Sequence, residues 1–195
     1  MIDLDPVANP QFLAVKVVPL FTPEECDQVV AAVENDGGWV PASVTGSGYA
    51  DGVDPDTRST LSAQLPLSIA GATLGAIGRA AAEANASTWR YDLTGFVPSE
   101  IPTVLRYEAA VADHFKTHID AGPQHSTRKL SFSLQLTDGA TYQGGDLILS
   151  NQLTEGSRAQ GSIVFFPAVI EHEVTPVYRG TRHAIVGWVH GPTLR

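Results

Sequence analysis

Arg128-Lys129-Leu130-Ser131-Phe132-Ser133-Leu134-Gln135-Leu136 alternates polar and apolar residues. Period two is the mark of a β-strand with unlike faces, so Leu130, Phe132, Leu134 and Leu136 share one side while Ser131, Ser133 and Gln135 share the other. The strand is expected over 129–137, closed by the turn pair Asp138-Gly139. Working outward, short β-rich runs recur at 89–93, 103–107, 115–120, 146–149, 162–166 and 181–190, with Gly144-Gly145 as another turn pair. Many short strands with turn signals between them indicate a sandwich or barrel.

Upstream of residue 89 the pattern changes. Ala14-Val15-Lys16-Val17-Val18 reads as a strand ended by Pro19. Thr22-Pro23-Glu24-Glu25 is a helix start, with Thr22 as N-cap, Pro23 first and Glu25 three after the cap. Cys26, Val29, Val30 and Val33 then follow at helical spacing to about Asn35, which makes Cys26 a small core residue. Residues 36–66 are rich in Gly, Ser, Asp and Pro and read as an irregular excursion with short strands at best, placed to cover a site. From Leu67 to Ala86 a long helix is expected, its Gly71, Gly75 and Gly78 allowing close packing on a sheet. The fold class is therefore α+β, mainly β: a sheet-rich core over 89–195, braced by helices and a lid-like loop within 1–88.

At 195 residues the chain is sized for one domain. Its formal net charge of -9 is unfavourable for nucleic acid or an anionic membrane surface, and no basic patch offsets it. The single cysteine excludes an internal disulfide framework and fits a reducing compartment. Without a leader-like N-terminus or a run of membrane-spanning length, a cytoplasmic location is expected.

The chemistry concentrates between Leu105 and Arg182. On an extended run His118 and Asp120 of His118-Ile119-Asp120 point to the same side. His172 follows 54 positions later, beyond the β-rich run Gly161-Ser162-Ile163-Val164-Phe165-Phe166-Pro167. Two imidazoles and one carboxylate on one face of a metal leave the other face open, the coordination of a non-haem Fe(II) oxygenase. Ten residues after His172, Arg182 begins an otherwise apolar strand face shared with Ala184, Val186 and Trp188. A buried guanidinium there needs an anionic partner. Arg58, within Asp54-Pro55-Asp56-Thr57-Arg58-Ser59, is a candidate holder of a substrate carboxylate. His114, His125, His183 and His190 read as surface or satisfied core residues.

This order resembles the Fe(II)/2-oxoglutarate-dependent dioxygenases, in particular their prolyl-4-hydroxylase-like branch. Leu105-Arg106-Tyr107 is similar to that branch's lead-in strand, and the strand from Arg128 with Tyr142-Gln143-Gly144-Gly145-Asp146-Leu147 is similar to its central segment. His172-Glu173-Val174-Thr175-Pro176-Val177 through Gly180-Thr181-Arg182 to Trp188 resembles the bacterial members. The chain departs from the family at Ala109-Ala110, where a glycine usually follows the tyrosine. The resemblance implies a double-stranded β-helix, or jelly roll, using Fe(II), O2 and 2-oxoglutarate as cosubstrate. His118, Asp120 and His172 would hold the metal; Arg182, with Tyr107, Ser131 and Gln135, would hold the cosubstrate's far end. Trp188, Arg58 and Arg128 would line the pocket for a small-molecule or peptide substrate. A carboxylate at Asp120, in place of the small residue of halogenating relatives, implies hydroxylation of an aliphatic C–H bond. Two other readings use part of the pattern: a zinc-dependent hydrolase on a cupin-like barrel, with Glu171 or Glu173 acting on a bound water, and a non-catalytic β-sandwich binding module.

Overall fold

The computed structural model describes residues 12–44 and 52–193; the N-terminal residues read above for a leader, and the middle of the 36–66 excursion, lie outside the described residues. In chain order the elements begin with β1 (Lys16–Pro19), α1 (Pro23–Asp36), β2 (Val40–Pro41), β3 (Arg58–Ser59), β4 (Leu61–Gln64) and α2 (Leu67–Ser87). Then come β5 (Thr103–Glu108), β6 (His114–His118), β7 (Arg128–Gln135), β8 (Gln143–Gly144) and β9 (Leu147–Leu149). The chain finishes with β10 (Gln152–Leu153), β11 (Ser162–Pro167), β12 (His172–Val174), β13 (Val177–Arg179) and β14 (Thr181–His190). Seven strands form a large sheet in the order β1-β11-β7-β14-β5-β4-β2, and five form a smaller one in the order β10-β9-β12-β6-β3. All pairings are antiparallel. This is the expected jelly roll with a helical brace.

The large sheet is buried on both faces, and β7 shows why. Its Leu130, Phe132 and Leu134 enter a core with Ile163, Phe165 and Ile185 of the same sheet, Cys26, Val29 and Val33 of α1, and Ile77, Ala81 and Ala84 of α2. Ser131, Ser133 and Gln135 are buried too. They face the interior between the sheets, beside a second apolar cluster that includes Leu105, Tyr107, Leu149, Val164 and Phe166. Helix α1 starts as its sequence requires: Thr22 Oγ1 accepts from Glu25 N and the Glu25 carboxylate accepts from Thr22 N, at 3.3 and 2.8 Å. It ends on Gly37 in the left-handed region at φ 72°.

Three expectations are corrected. The glycines of α2 mark no close approach, since a methyl added at Gly71 meets nothing within 4 Å and one at Gly78 meets only Phe96 at 3.8 Å. Thr73, Ile77, Ala81 and Ala84 bury the helix face instead. Residues 89–93 are not a strand. The Asn85 side chain caps them locally, donating to Tyr91 O and accepting from Tyr91 N, both at 2.9 Å, while Arg90 takes φ 57°, which no ladder accommodates. The third concerns 115–120: strand β6 stops at His118, and Asp120 lies in the bend beyond it. The excursion at 36–66 contributes strands to both sheets, β2 and β4 to the large one and β3 to the small one. Among the described residues no helix is long and apolar enough to cross a membrane.

Candidate metal centre and cosubstrate pocket

Strand pairing brings the two distant histidines together. His172 on β12 and His118 on β6 are direct cross-strand partners, with ring centroids 4.1 Å apart. Just past the end of β6, the Asp120 carboxylate turns back toward both: Oδ2 is 3.3 Å from His172 Nε2 and Oδ1 is 3.7 Å from His118 Nε2. One potential ligand atom from each of the three lies within 4.8 Å of the others. Same-side geometry holds although only His118 is within the strand.

Supporting bonds orient every member. His118 Nδ1 meets Lys116 O at 2.8 Å and His172 Nδ1 meets Ile170 O at 3.0 Å. A carbonyl only accepts, so both Nδ1 atoms carry hydrogen and both Nε2 atoms are directed to the shared centre. Asp120 Oδ2 accepts from Ser131 Oγ at 2.6 Å, and the Asp120 carbonyl accepts from Arg128 Nη1 at 3.1 Å. Burial, together with the neighbouring His172, pushes His118 down to about 4, so it is a neutral donor near neutrality. Burial works against ionising Asp120, but the hydrogen bond and charge of His172, the charge of His118 and the Ser131 hydroxyl hold its carboxyl well below the usual range. Burial also opposes protonating His172, and its bond to Asp120 outweighs that and raises it. Two imidazole nitrogens with a carboxylate oxygen are a donor set suited to ferrous iron.

Deeper in the barrel, Arg182 is 3% exposed and sits opposite Tyr107 in the β14–β5 pairing. Its Nε donates to Gln135 Oε1 at 3.1 Å and its Nη2 to Ser133 Oγ at 3.4 Å, while Nη1 is sealed from solvent and, with the Tyr107 hydroxyl beside the guanidinium, has no partner of good hydrogen-bond geometry among the described residues. The guanidinium carbon lies 5.3 Å from the Tyr107 ring, and burial raises that phenol's pKa. Gly145 gives the arginine passage, since a Cβ there would stand 3.1 Å from Arg182 Cδ. Gln135 is thus placed beside Arg182 as expected. Ser131 is not; it is engaged by Asp120. The neighbour of Arg182 on that face is Ser133.

The other residues read as substrate contacts border an open cavity of about 920 Å³ whose floor includes His118 and Asp120. Arg128 stacks on Trp188, its guanidinium carbon 3.5 Å from the ring, and donates through Nε to Glu100 Oε2 at 2.7 Å. Arg58 lies over Phe115 at 4.6 Å. Burial lowers its pKa and the Asp120 carboxylate opposes this, and a guanidinium stays a cation throughout the physiological range. Glu100 had no sequence signal, yet on the cavity wall it pairs with Arg128 and with His125 at 3.2 Å, and it lies 3.4 Å from the buried His190. His183 pairs with Glu34 at 3.0 Å on the helix side of the large sheet, and His114 is bonded to the carbonyls of Ala112 and Asp56.

Fold and side chains together define a jelly-roll protein with a two-histidine, one-carboxylate set in its mouth and a buried arginine below. The family model of the 2OG-Fe(II) oxygenase superfamily matches residues 102–190. A PKHD-type hydroxylase of Crocosphaera subtropica is 38% identical over 91 residues, 44% of this chain and 40% of the relative, so the match spans about two fifths of that relative's length. A PKHD-type hydroxylase of Synechococcus is 26% identical over 169 residues, 84% of this chain and 72% of the relative. Among solved structures, the fold is similar to a prolyl hydroxylase from Trichoplax adhaerens in complex with a hypoxia inducible factor peptide fragment, with TM-score 0.70 and 18% identity over 91% of this chain and 83% of that one.

Proposed function

We propose that the protein is an Fe(II)- and 2-oxoglutarate-dependent dioxygenase that hydroxylates an aliphatic C–H bond of a prolyl, peptidyl or amino-acid-like substrate. One observation carries this reading: the sealed, unpartnered Nη1 of Arg182 lies in the same barrel as the His118, Asp120 and His172 set. A buried guanidinium hydrogen without an acceptor costs about 1–3 kcal/mol or more, and a diacid chelating a metal by one end presents the missing acceptor at the other.

When bound, iron and 2-oxoglutarate supply oxygen activation through oxidative decarboxylation, yielding succinate, CO2 and a hydroxylated product. His118, His172 and Asp120 hold the cation through two neutral nitrogens and one carboxylate oxygen. Ser131 fixes the Asp120 carboxylate, and Arg128 fixes its backbone. Arg182 takes the far carboxylate of the diacid, kept in place by Gln135 and Ser133 and walled by Tyr107. The apolar cluster of Leu105, Tyr107, Leu149, Val164 and Phe166 keeps water from the inner end. Trp188, Arg128 and Arg58 border the space left for the substrate. The peptide held by the Trichoplax structure supports a peptide or similarly sized substrate.

The hydrolytic reading lacks its base. Glu173 follows His172 on the strand and so points the other way, where it accepts from Thr117 Oγ1 at 2.6 Å; Glu171 is exposed. Anaerobic titration with Fe(II) and 2-oxoglutarate tests the proposal. A visible charge-transfer band is expected for the wild type and not for His172→Ala. A colourless wild-type mixture overturns it.

A further inference from the structure

We propose that Arg58 is the recognition point for a carboxylate on the primary substrate, so that the molecule hydroxylated is an acid: a free amino or organic acid, or a peptide with an acidic group near the reacting carbon. This rests on the oxygenase reading only in calling the bound acid a substrate. The argument starts from how firmly Arg58 is held. It pairs across β3–β6 with Phe115, and Ser59 pairs with His114. Lys116 N donates to Thr57 O at 2.9 Å, Arg58 N donates to Asp54 O at 2.8 Å, and Ser59 Oγ donates to the buried Asp113 carboxylate at 2.5 Å. The backbone is therefore fixed on both sides of the arginine.

Its side chain is aimed inward. The guanidinium covers the Phe115 ring, and Phe115 in turn stacks on His118 at 3.6 Å between centroids, so the cation is two ring layers from the candidate metal centre. Its side chain makes one hydrogen bond among the described residues, from Nη1 to Ser43 O at 3.0 Å, and its Nε is sealed from solvent without a partner. Among the described residues no carboxylate lies within ion-pair distance of it. Among the residues lining the cavity the other arginine, Arg128, is paired with Glu100. Arg182 lies deeper and faces the cosubstrate pocket. Arg58 is thus a fixed positive group over the substrate space, lacking the acceptor that a partly buried guanidinium needs. A guanidinium with one nitrogen unpartnered suits a single carboxylate; a phosphate normally draws several donors at once. With a chain charge of -9, an acid can be drawn in only by a local cation of this kind.

The test uses matched pairs of acids and amides: L-proline with L-prolinamide, L-leucine with L-leucinamide, and short peptides carrying internal Asp with their Asn counterparts. Each is titrated by calorimetry into full-length protein loaded with Mn(II) and saturating 2-oxoglutarate, and succinate release is followed with Fe(II). At least one acid should bind and raise succinate release, with its amide weaker by about a hundredfold, the loss expected for a charge-assisted fork contact. Arg58→Gln should make acid and amide equal while the 2-oxoglutarate dissociation constant stays at the wild-type value, and Arg58→Lys should restore part of the preference. The free-acid and peptide arms separate the two sources of the carboxylate. Equal binding of acids and amides by the wild type, a preference that survives Arg58→Gln, no binding by any acid at millimolar concentration, or loss of 2-oxoglutarate binding in Arg58→Gln each overturns the assignment. Failure of the oxygenase reading shows separately, as a wild type that does not bind 2-oxoglutarate.

Discussion

Replacing Arg182 by Met should separate function from stability. The substitution leaves the Gln135 and Ser133 acceptors without their donor, a loss of about 1 kcal/mol for each hydrogen bond. It also removes a sealed Nη1 hydrogen that has no acceptor, a relief of roughly 1–3 kcal/mol, and fills the space with an unbranched apolar chain. These nearly cancel, so the melting temperature of the ligand-free protein should move by only a few degrees, at about 2–4 °C per kcal/mol for a chain of this size. Binding of 2-oxoglutarate behaves differently. On the proposed reading, two charge-assisted hydrogen bonds to its far carboxylate, from Nη1 and Nη2, would together be worth about 3–5 kcal/mol, or roughly 10²–10⁴ in affinity. Calorimetric titration of the Mn(II)-loaded variant and a thermal melt without ligand measure the two quantities. An affinity within tenfold of wild type refutes the assignment of Arg182. A loss of binding matched by a collapse of the melting temperature refutes the ledger on which it stands.

Three further outcomes follow from neighbouring contacts. Ser131→Ala removes the 2.6 Å bond to Asp120 and should weaken Mn(II) binding about 10–100-fold while lowering the metal-free melt by only the few degrees that one hydrogen bond is worth; an unaltered metal affinity counts against a positioning role. Gly161→Ala places a Cβ 1.9 Å from Phe21 O at φ +80°, and should cost more than about 3 kcal/mol, read as a lower urea midpoint at constant slope. His183 has a pKa held below its ordinary value by burial, only partly opposed by Glu34. The unfolded chain therefore takes up a proton at this site before the folded one does, and wild-type stability falls as pH drops below about 6.5. His183→Gln should flatten that part of the stability profile, measured by urea unfolding at stepped pH.

Much of this arrangement was legible because it is periodic. The alternation on β7 specified a strand and its inward face, the capping box specified the start of α1, and Arg182 to Trp188 marked a strand with one charged end. Periodicity has no grip on segments of two to four residues, so β3, β4 and β12 could not be read, although β3 carries Arg58 and β12 carries His172. The run 89–93 misled because its aromatic residues suit a strand, whereas Trp89 is buried by packing and by a bond from its Nε1 to Ala14 O. Ser131 was grouped with Gln135 by face alone. Four residues of strand span about 13 Å, so two such side chains cannot both meet one carboxylate, and depth along the barrel assigns Ser131 to Asp120 and Gln135 to Arg182. Glu100 comes from outside the strands and was invisible to any pattern.

Because His118 and His172 face each other across a single antiparallel pair, an ion gripping both acts as a rivet through the narrow sheet. The strand on the other side of β6 is β3, the short segment that positions Arg58. An ion held there would tie the mouth of the barrel together, so that the rim would be best shaped to receive a guest once a metal is bound.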